Sequence, residues 1–108
     1  MNRVGPVIMA NDTAREQLVK NGVVLSFRTS DRTVGKTHYR HKRTGKGKGA
    51  VYISKISAKI PPTHDTLKAY QPLSGFASVG DWLKAIDSVH GDVSNGYVYR
   101  IELLEADQ

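Results

Sequence analysis

The chain has no cysteine, so neither disulfides nor thiolate metal sites are available to it, and a reducing, cytoplasmic setting is the default reading. It has no long apolar run either. VVL and VYI are among the longest, and nothing approaches the ~20 residues of a membrane span, so no membrane partner is expected. The first residues lack the apolar segment of a secretory signal. Aromatic residues make up 7% of the chain and hydrophobic residues 39%, which limits 108 residues to one domain with one modest core. No internal repeat is visible.

Acidic residues are missing from one place in particular. Residues 28–48 (RTSDRTVGKTHYRHKRTGKGK) hold Arg28, Arg32, Lys36, Arg40, Lys42, Arg43, Lys46 and Lys48 against a single acid, Asp31. Eight of the 16 bases thus sit beside one of the ten acids, and the remaining 87 residues are close to neutral. The net charge of +6 is therefore confined to about a fifth of the chain. A polyanion is the natural partner of such a segment, because several cations acting together release condensed counterions. The bland alternative is a solvated loop, but so one-sided a charge balance is unusual for an ordinary surface. Tyr39, with His38 or His41, is placed to stack on an unpaired base. Phosphate contacts do not separate RNA from DNA.

The pattern on either side gives the scaffold. Residues 4–9 (VGPVIM) read as a short strand, irregular at Pro6. A helix follows, with Thr13 and Glu16 fitting a capping box, Asn11 or Asp12 as alternative caps, and Ala14, Leu18 and Val19 as the buried stripe. Gly22 stops it. Residues 23–28 (VVLSFR) read as a strand with Val23, Leu25 and Phe27 on one face and Val24, Ser26 and Arg28 on the other. Residues 37–43 fit a polar strand, and the alternating glycines of TGKGKG mark a turn. Residues 50–60 (AVYISKISAKI) are the clearest strand, with a phase change near Ser54 and Lys55 that suggests a bulge. Pro61 and Pro62 end it, and residues 63–70 have room for one helical turn. Ser78 and Asp81 open a second helix to about His90, burying Trp82, Leu83, Ile86 and Val89. Residues 97–104 close the chain as a strand, with Tyr97, Tyr99, Ile101 and Leu103 on one face and Val98, Arg100 and Glu102 on the other. Arg100 is read as lining a groove with Arg28. The order β–α–β–basic hairpin–β–α–β indicates an α+β domain with a small mixed or antiparallel curved sheet, or an open β-barrel, and two main helices.

This layout resembles the ASCH domains, relatives of the PUA-like β-barrels. The matching pieces are residues 14–22 (AREQLVKNG), 23–28, 50–56, 78–90 and 96–103 (GYVYRIEL), which together cover nearly the whole chain in order. The resemblance implies a PUA-like barrel associated with RNA. Some members of that family are amidohydrolases acting on modified cytidine, and others are single-strand ribonucleases. The amidohydrolase lysine is absent here, since Gly22 is followed by Val23 and Val24, and the closing Arg28 comes one residue early. The expected glutamate has no match either, because residues 60–86 offer only Asp65 and Asp81 as acids.

Three functional classes follow. The first is a monomeric RNA-binding domain that uses Arg28, Arg32, Lys36, His38, Tyr39, Arg40, His41, Lys42, Arg43, Lys46, Lys48 and Arg100. The second is a ribonuclease on the same surface, with His38 or His41 as general base and Arg40 or Lys42 stabilising the oxyanion. The third is an interaction module docking on an acidic protein, as small phage or mobile-element inhibitors do. No cofactor or metal is expected. TGKGKG lacks the spacer and the Ser/Thr of a P-loop, and His38 and His41 would fall on opposite faces of a strand.

Overall fold

The computed structural model describes residues 4–42, 47–91 and 93–104. The elements in chain order are β1 (Val7–Ile8), α1 (Asp12–Asn21), β2 (Val23–Arg28), β3 (Gly35–Arg40), β4 (Gly47–Lys55), α2 (His64–Leu67), a 3-10 turn (Gln71–Leu73), α3 (Val79–His90) and β5 (Tyr97–Leu103). The five strands form one curled, half-barrel sheet in the order β1-β3-β4-β5-β2. All neighbours are antiparallel except β1 and β3. The architecture is α+β, an open barrel with helices. No helix among the described residues is long and apolar enough to cross a membrane.

Local chemistry accounts for the helix ends. Asn11 caps α1, its side chain accepting from the Ala14 N–H at 3.0 Å, in place of the capping box expected at Thr13. Gly22 follows in the left-handed region (φ 81°) and donates to the Leu18 carbonyl, a conformation that costs glycine nothing. Ser78 caps α3 through the Asp81 N–H, as expected. Each helix buries less than its periodicity suggests. Leu18 is fully enclosed, but Val19 is exposed; Trp82 and Ile86 are buried, but Val89 is 68% exposed.

The sheet separates two apolar clusters. Val7, Met9, Leu18, Val24, Tyr39, Val51, Ile53, Tyr99 and Ile101 fill the concave face under α1. Leu25, Phe27 and Val98 lie on the opposite face and pack with Leu67, Val79, Trp82 and Ile86 of α2 and α3. β2 is therefore covered on both sides. Close approach at the start of β5 depends on Gly96, where a Cβ would lie 2.4 Å from the Phe27 ring and 2.6 Å from the Arg28 carbonyl oxygen.

Three strand expectations shift. The first strand is only Val7–Ile8, since Pro6 cannot donate to a ladder. The polar strand begins at Gly35 and ends at Arg40, so His41 lies beyond it. The long strand stops at Lys55: the Ile56 N–H still reaches the Val98 carbonyl, but the Val98 N–H is taken by the Ser57 side chain at 2.8 Å. Pairing resumes only at Ile60 with Gly96, two residues out of the previous register. The phase change thus marks the end of the strand, whereas the register shift among the named strand pairs falls between Tyr39 and Arg40.

Candidate functional site

Two positively charged features stand out, one on the outer face of β3 and β4 and one at the seam between β1 and β2. On the convex side the helices cover only the β2 end. The β3–β4 end carries Lys36, His38 and Arg40 at alternate positions of β3, and the exposed Tyr52 directly opposite Lys36 on β4. Alternation puts them on one face, because Tyr39, Val51 and Ile53 between them point into the core. The Arg40 Nε donates to the His38 Nε2 at 3.1 Å, which engages that ring nitrogen. Lys42 and Lys48 are exposed at the strand ends, and His41 is half-buried. Arg43 and Lys46 lie outside the described residues.

Two acids among the described residues, Asp31 and Glu102, are paired with cations outside this row. Asp31, the lone acid of the basic segment, bonds to Lys55 at 2.6 Å, and Lys55 also sits 4.6 Å over the Tyr97 ring. This bond, ahead of the opposing effect of desolvation, raises the Lys55 pKa. Glu102 holds Arg100 at 3.0 Å. Arg100 lies opposite Ser54 and Leu25, on the convex face, whereas Arg28 points the other way with Val24 and Ser26. The two arginines therefore do not line one groove.

Several expected contact residues have structural positions instead. Tyr39 is buried in the concave core with its ring over Gly49, which removes it as a stacking platform. Tyr52 is the residue that sequence reasoning missed. The signal was present, since strict alternation with buried Val51 and Ile53 turns Tyr52 outward. Arg32 ties the N-terminal segment down by donating to the Gly5 carbonyl at 2.6 Å, and its N–H donates to the Tyr99 hydroxyl at 2.9 Å. That hydroxyl donates in turn to the Ser30 carbonyl, which fixes the turn after β2. Burial lowers the Arg32 pKa, partly opposed by Tyr99.

The second feature is a cleft of about 260 Å³ at the open seam of the half-barrel. One wall is Ile8, Met9 and Ala10, another is Leu25 to Arg28, and α3 closes it with Trp82, Ile86, Val89 and His90. The lining is mostly apolar. Arg28 bridges the seam, its Nε donating to the Ser26 hydroxyl at 2.9 Å and an Nη reaching the Met9 sulfur at 3.8 Å. No carboxylate among the described residues pairs with it. Burial, with a smaller repulsion from Arg32, pushes the Arg28 pKa down to about 10, so the side chain stays charged at neutral pH at an energetic cost. His90 at the rim is lowered by burial and then by Arg28.

Comparison of the chain with protein-family models, with curated proteins and with solved structures returns no match.

Proposed function

We propose that the protein is an RNA-binding domain of PUA-like, ASCH type, and that RNA lies across the convex β3–β4 face. The observation that carries this reading is the Lys36–His38–Arg40 row beside exposed Tyr52, on a part of the sheet that no helix among the described residues covers. Cations along a strand track a phosphate backbone, and an outward tyrosine beside them offers a π-face to an unpaired base. Lys42 and Lys48 extend the row at its Arg40 end. The pairing of Asp31 and Glu102 with other cations leaves the row without local neutralisation from them. The type assignment rests on the order of strands and helices around an open barrel and on the arginine that closes β2.

The test is a titration of labelled single-stranded RNA, duplex RNA and single-stranded DNA at two salt concentrations. Four phosphate contacts, by Lys36, Arg40, Lys42 and Lys48, predict that affinity for a single strand falls roughly twentyfold between about 50 and about 150 mM salt. Replacing Lys36, Arg40 and Lys42 together by Ala should weaken binding and lower the logarithmic salt slope by about 2. No binding at low salt would overturn the reading and redirect the search to an acidic protein partner. A denaturing gel of the same RNA samples checks for strand cleavage.

A further inference from the structure

The seam cleft lies between β1 and β2 under α3, apart from the proposed RNA face on β3 and β4, and has a different chemistry. It is small, mostly apolar and partly open to solvent, with the Arg28 side chain in its wall. An isolated guanidinium is expensive to bury, and most buried cations have a partner. Arg28 uses its Nε–H on Ser26 and one Nη on the Met9 sulfur, which is a weak acceptor. The rest of its planar fork has no protein acceptor among the described residues. We propose that the cleft binds a small amphipathic monocarboxylate, its carboxylate paired with the Arg28 fork and its apolar body against Phe27, Phe76, Trp82, Ile86 and Val89.

Size narrows the ligand. An apolar cavity of about 150 Å³ holds a benzene-sized molecule, so this cleft takes a body of about ten heavy atoms. That matches an arylacetate or a medium-chain fatty acid and is too small for a whole nucleotide. Charge narrows it further. One guanidinium balances one carboxylate in bidentate geometry, and among the residues lining the cleft only His90 could add a second positive charge. The exposure of Val89, a large apolar side chain on an otherwise well-packed helix, is explained by its place at the cleft mouth.

The experiment uses the full chain labelled with ¹⁵N and methyl ¹³C, titrated with phenylacetate, with its uncharged isostere phenylacetamide, and with inorganic phosphate. Phenylacetate should bind saturably at millimolar concentration or tighter, moving the Val89 and Ile86 methyl signals and the Arg28 Nε–H signal. Phenylacetamide should bind at least about tenfold more weakly, and so should phenylacetate to Arg28→Met, since a charge-assisted fork is lost in both cases. Ala85→Leu, which fills the cleft and keeps the charge, should also abolish phenylacetate binding. The Lys36/Arg40/Lys42→Ala protein should bind phenylacetate normally, which separates this site from the RNA face. Three results would each overturn the proposal: no saturable shifts with phenylacetate, equal binding of the amide, or unchanged binding by Arg28→Met. Inorganic phosphate causing the same shifts as phenylacetate would also overturn it, by reducing the site to a bare anion contact.

Discussion

Arg28→Met should make the protein more stable, not less. The Arg28 pKa falls from its usual value to about 10 on folding, because burial disfavours the cation. At about 1.4 kcal/mol per pKa unit, this is a penalty of roughly 3 kcal/mol on the folded state. The part of the side chain that still reaches water reduces it, and about 2–3 kcal/mol is a fair working range. The sign is set by the depressed pKa. Below pH 10 the group is charged in both states and the full penalty applies; it fades only as pH rises above about 10 towards the usual arginine value. Methionine has a comparable apolar stem and fits the cleft lining. It gives up the Ser26 hydrogen bond, a loss of about 1 kcal/mol. The net expectation is a gain of about 1–2 kcal/mol, or about 4–8 °C in Tm for a domain of this size.

Urea denaturation followed by circular dichroism at pH 7, with the slope m compared between the two proteins, measures this directly. A midpoint that rises with m unchanged supports the account of Arg28 as a cation retained at a cost to stability. A loss of more than about 1 kcal/mol in a natively folded Arg28→Met protein would refute it. The contacts to Ser26 and Met9 would then outweigh desolvation, and Arg28 would be a structural clasp across the seam. Phenylacetate supplies an internal control, since a ligand bound to the folded state adds RT ln(1 + [L]/Kd) to the parent and less to the weaker-binding variant.

Three further outcomes follow from the same geometry. Tyr52→Ala should leave Tm nearly unchanged but weaken single-strand RNA binding by about 1–3 kcal/mol in a fluorescence titration, whereas Tyr39→Ala, in the core, should cost about 3–5 kcal/mol of stability. Gly96→Ala should destabilise by about 2–3 kcal/mol in thermal melts, because the new methyl meets a backbone oxygen as well as the Phe27 ring. The His90 imidazole should titrate below its usual range by NMR, and Arg28→Met should raise its midpoint. Its depressed pKa makes no contribution to stability above about pH 6.5 and subtracts stability as pH falls from there through the folded value.

What the sequence revealed was whatever is decided locally. The Ser78 cap, the Gly22 stop and the β-branched runs of β2 and β5 each follow from a few adjacent residues, and each is where the pattern puts it. The two faces of β5 were equally readable from strict alternation. Tyr39 was misplaced because its basic neighbours hide a weak alternation in which Thr37 and Tyr39 face inward; only pairing with Val51 and Gly49 reveals it. Val89 continues the helical stripe in sequence, but the last turn of α3 overhangs the seam, so the stripe runs out over an open cleft. The position of Arg28 was illegible for the same reason. The cleft exists because β1 and β2, at opposite ends of the strand order, are brought together by the curl of the sheet, and no local pattern encodes that meeting.

The sheet sorts its positive charge into two kinds, and each kind suits a different anion. Lys36, Lys42 and Lys48 keep their hydration, so holding them costs little and their value lies in number. A polyanion rewards such a set, because each phosphate met releases a counterion without requiring any cation to be stripped of water. A single small anion would gain almost nothing there, since an exposed pair in water is worth at most about 1 kcal/mol. Arg28 is the reverse case. It is alone, already desolvated and set among apolar walls, so folding has met in advance the desolvation cost that an ion pair would otherwise charge against binding. Long RNA cannot exploit a single charge at the bottom of a 260 Å³ cleft, while a small carboxylate with an apolar body gains from both the charge and the walls. The acids follow the same division. Asp31 and Glu102 are held by Lys55 and Arg100, which leaves them unavailable both to the solvated row on one face and to the buried guanidinium at the seam.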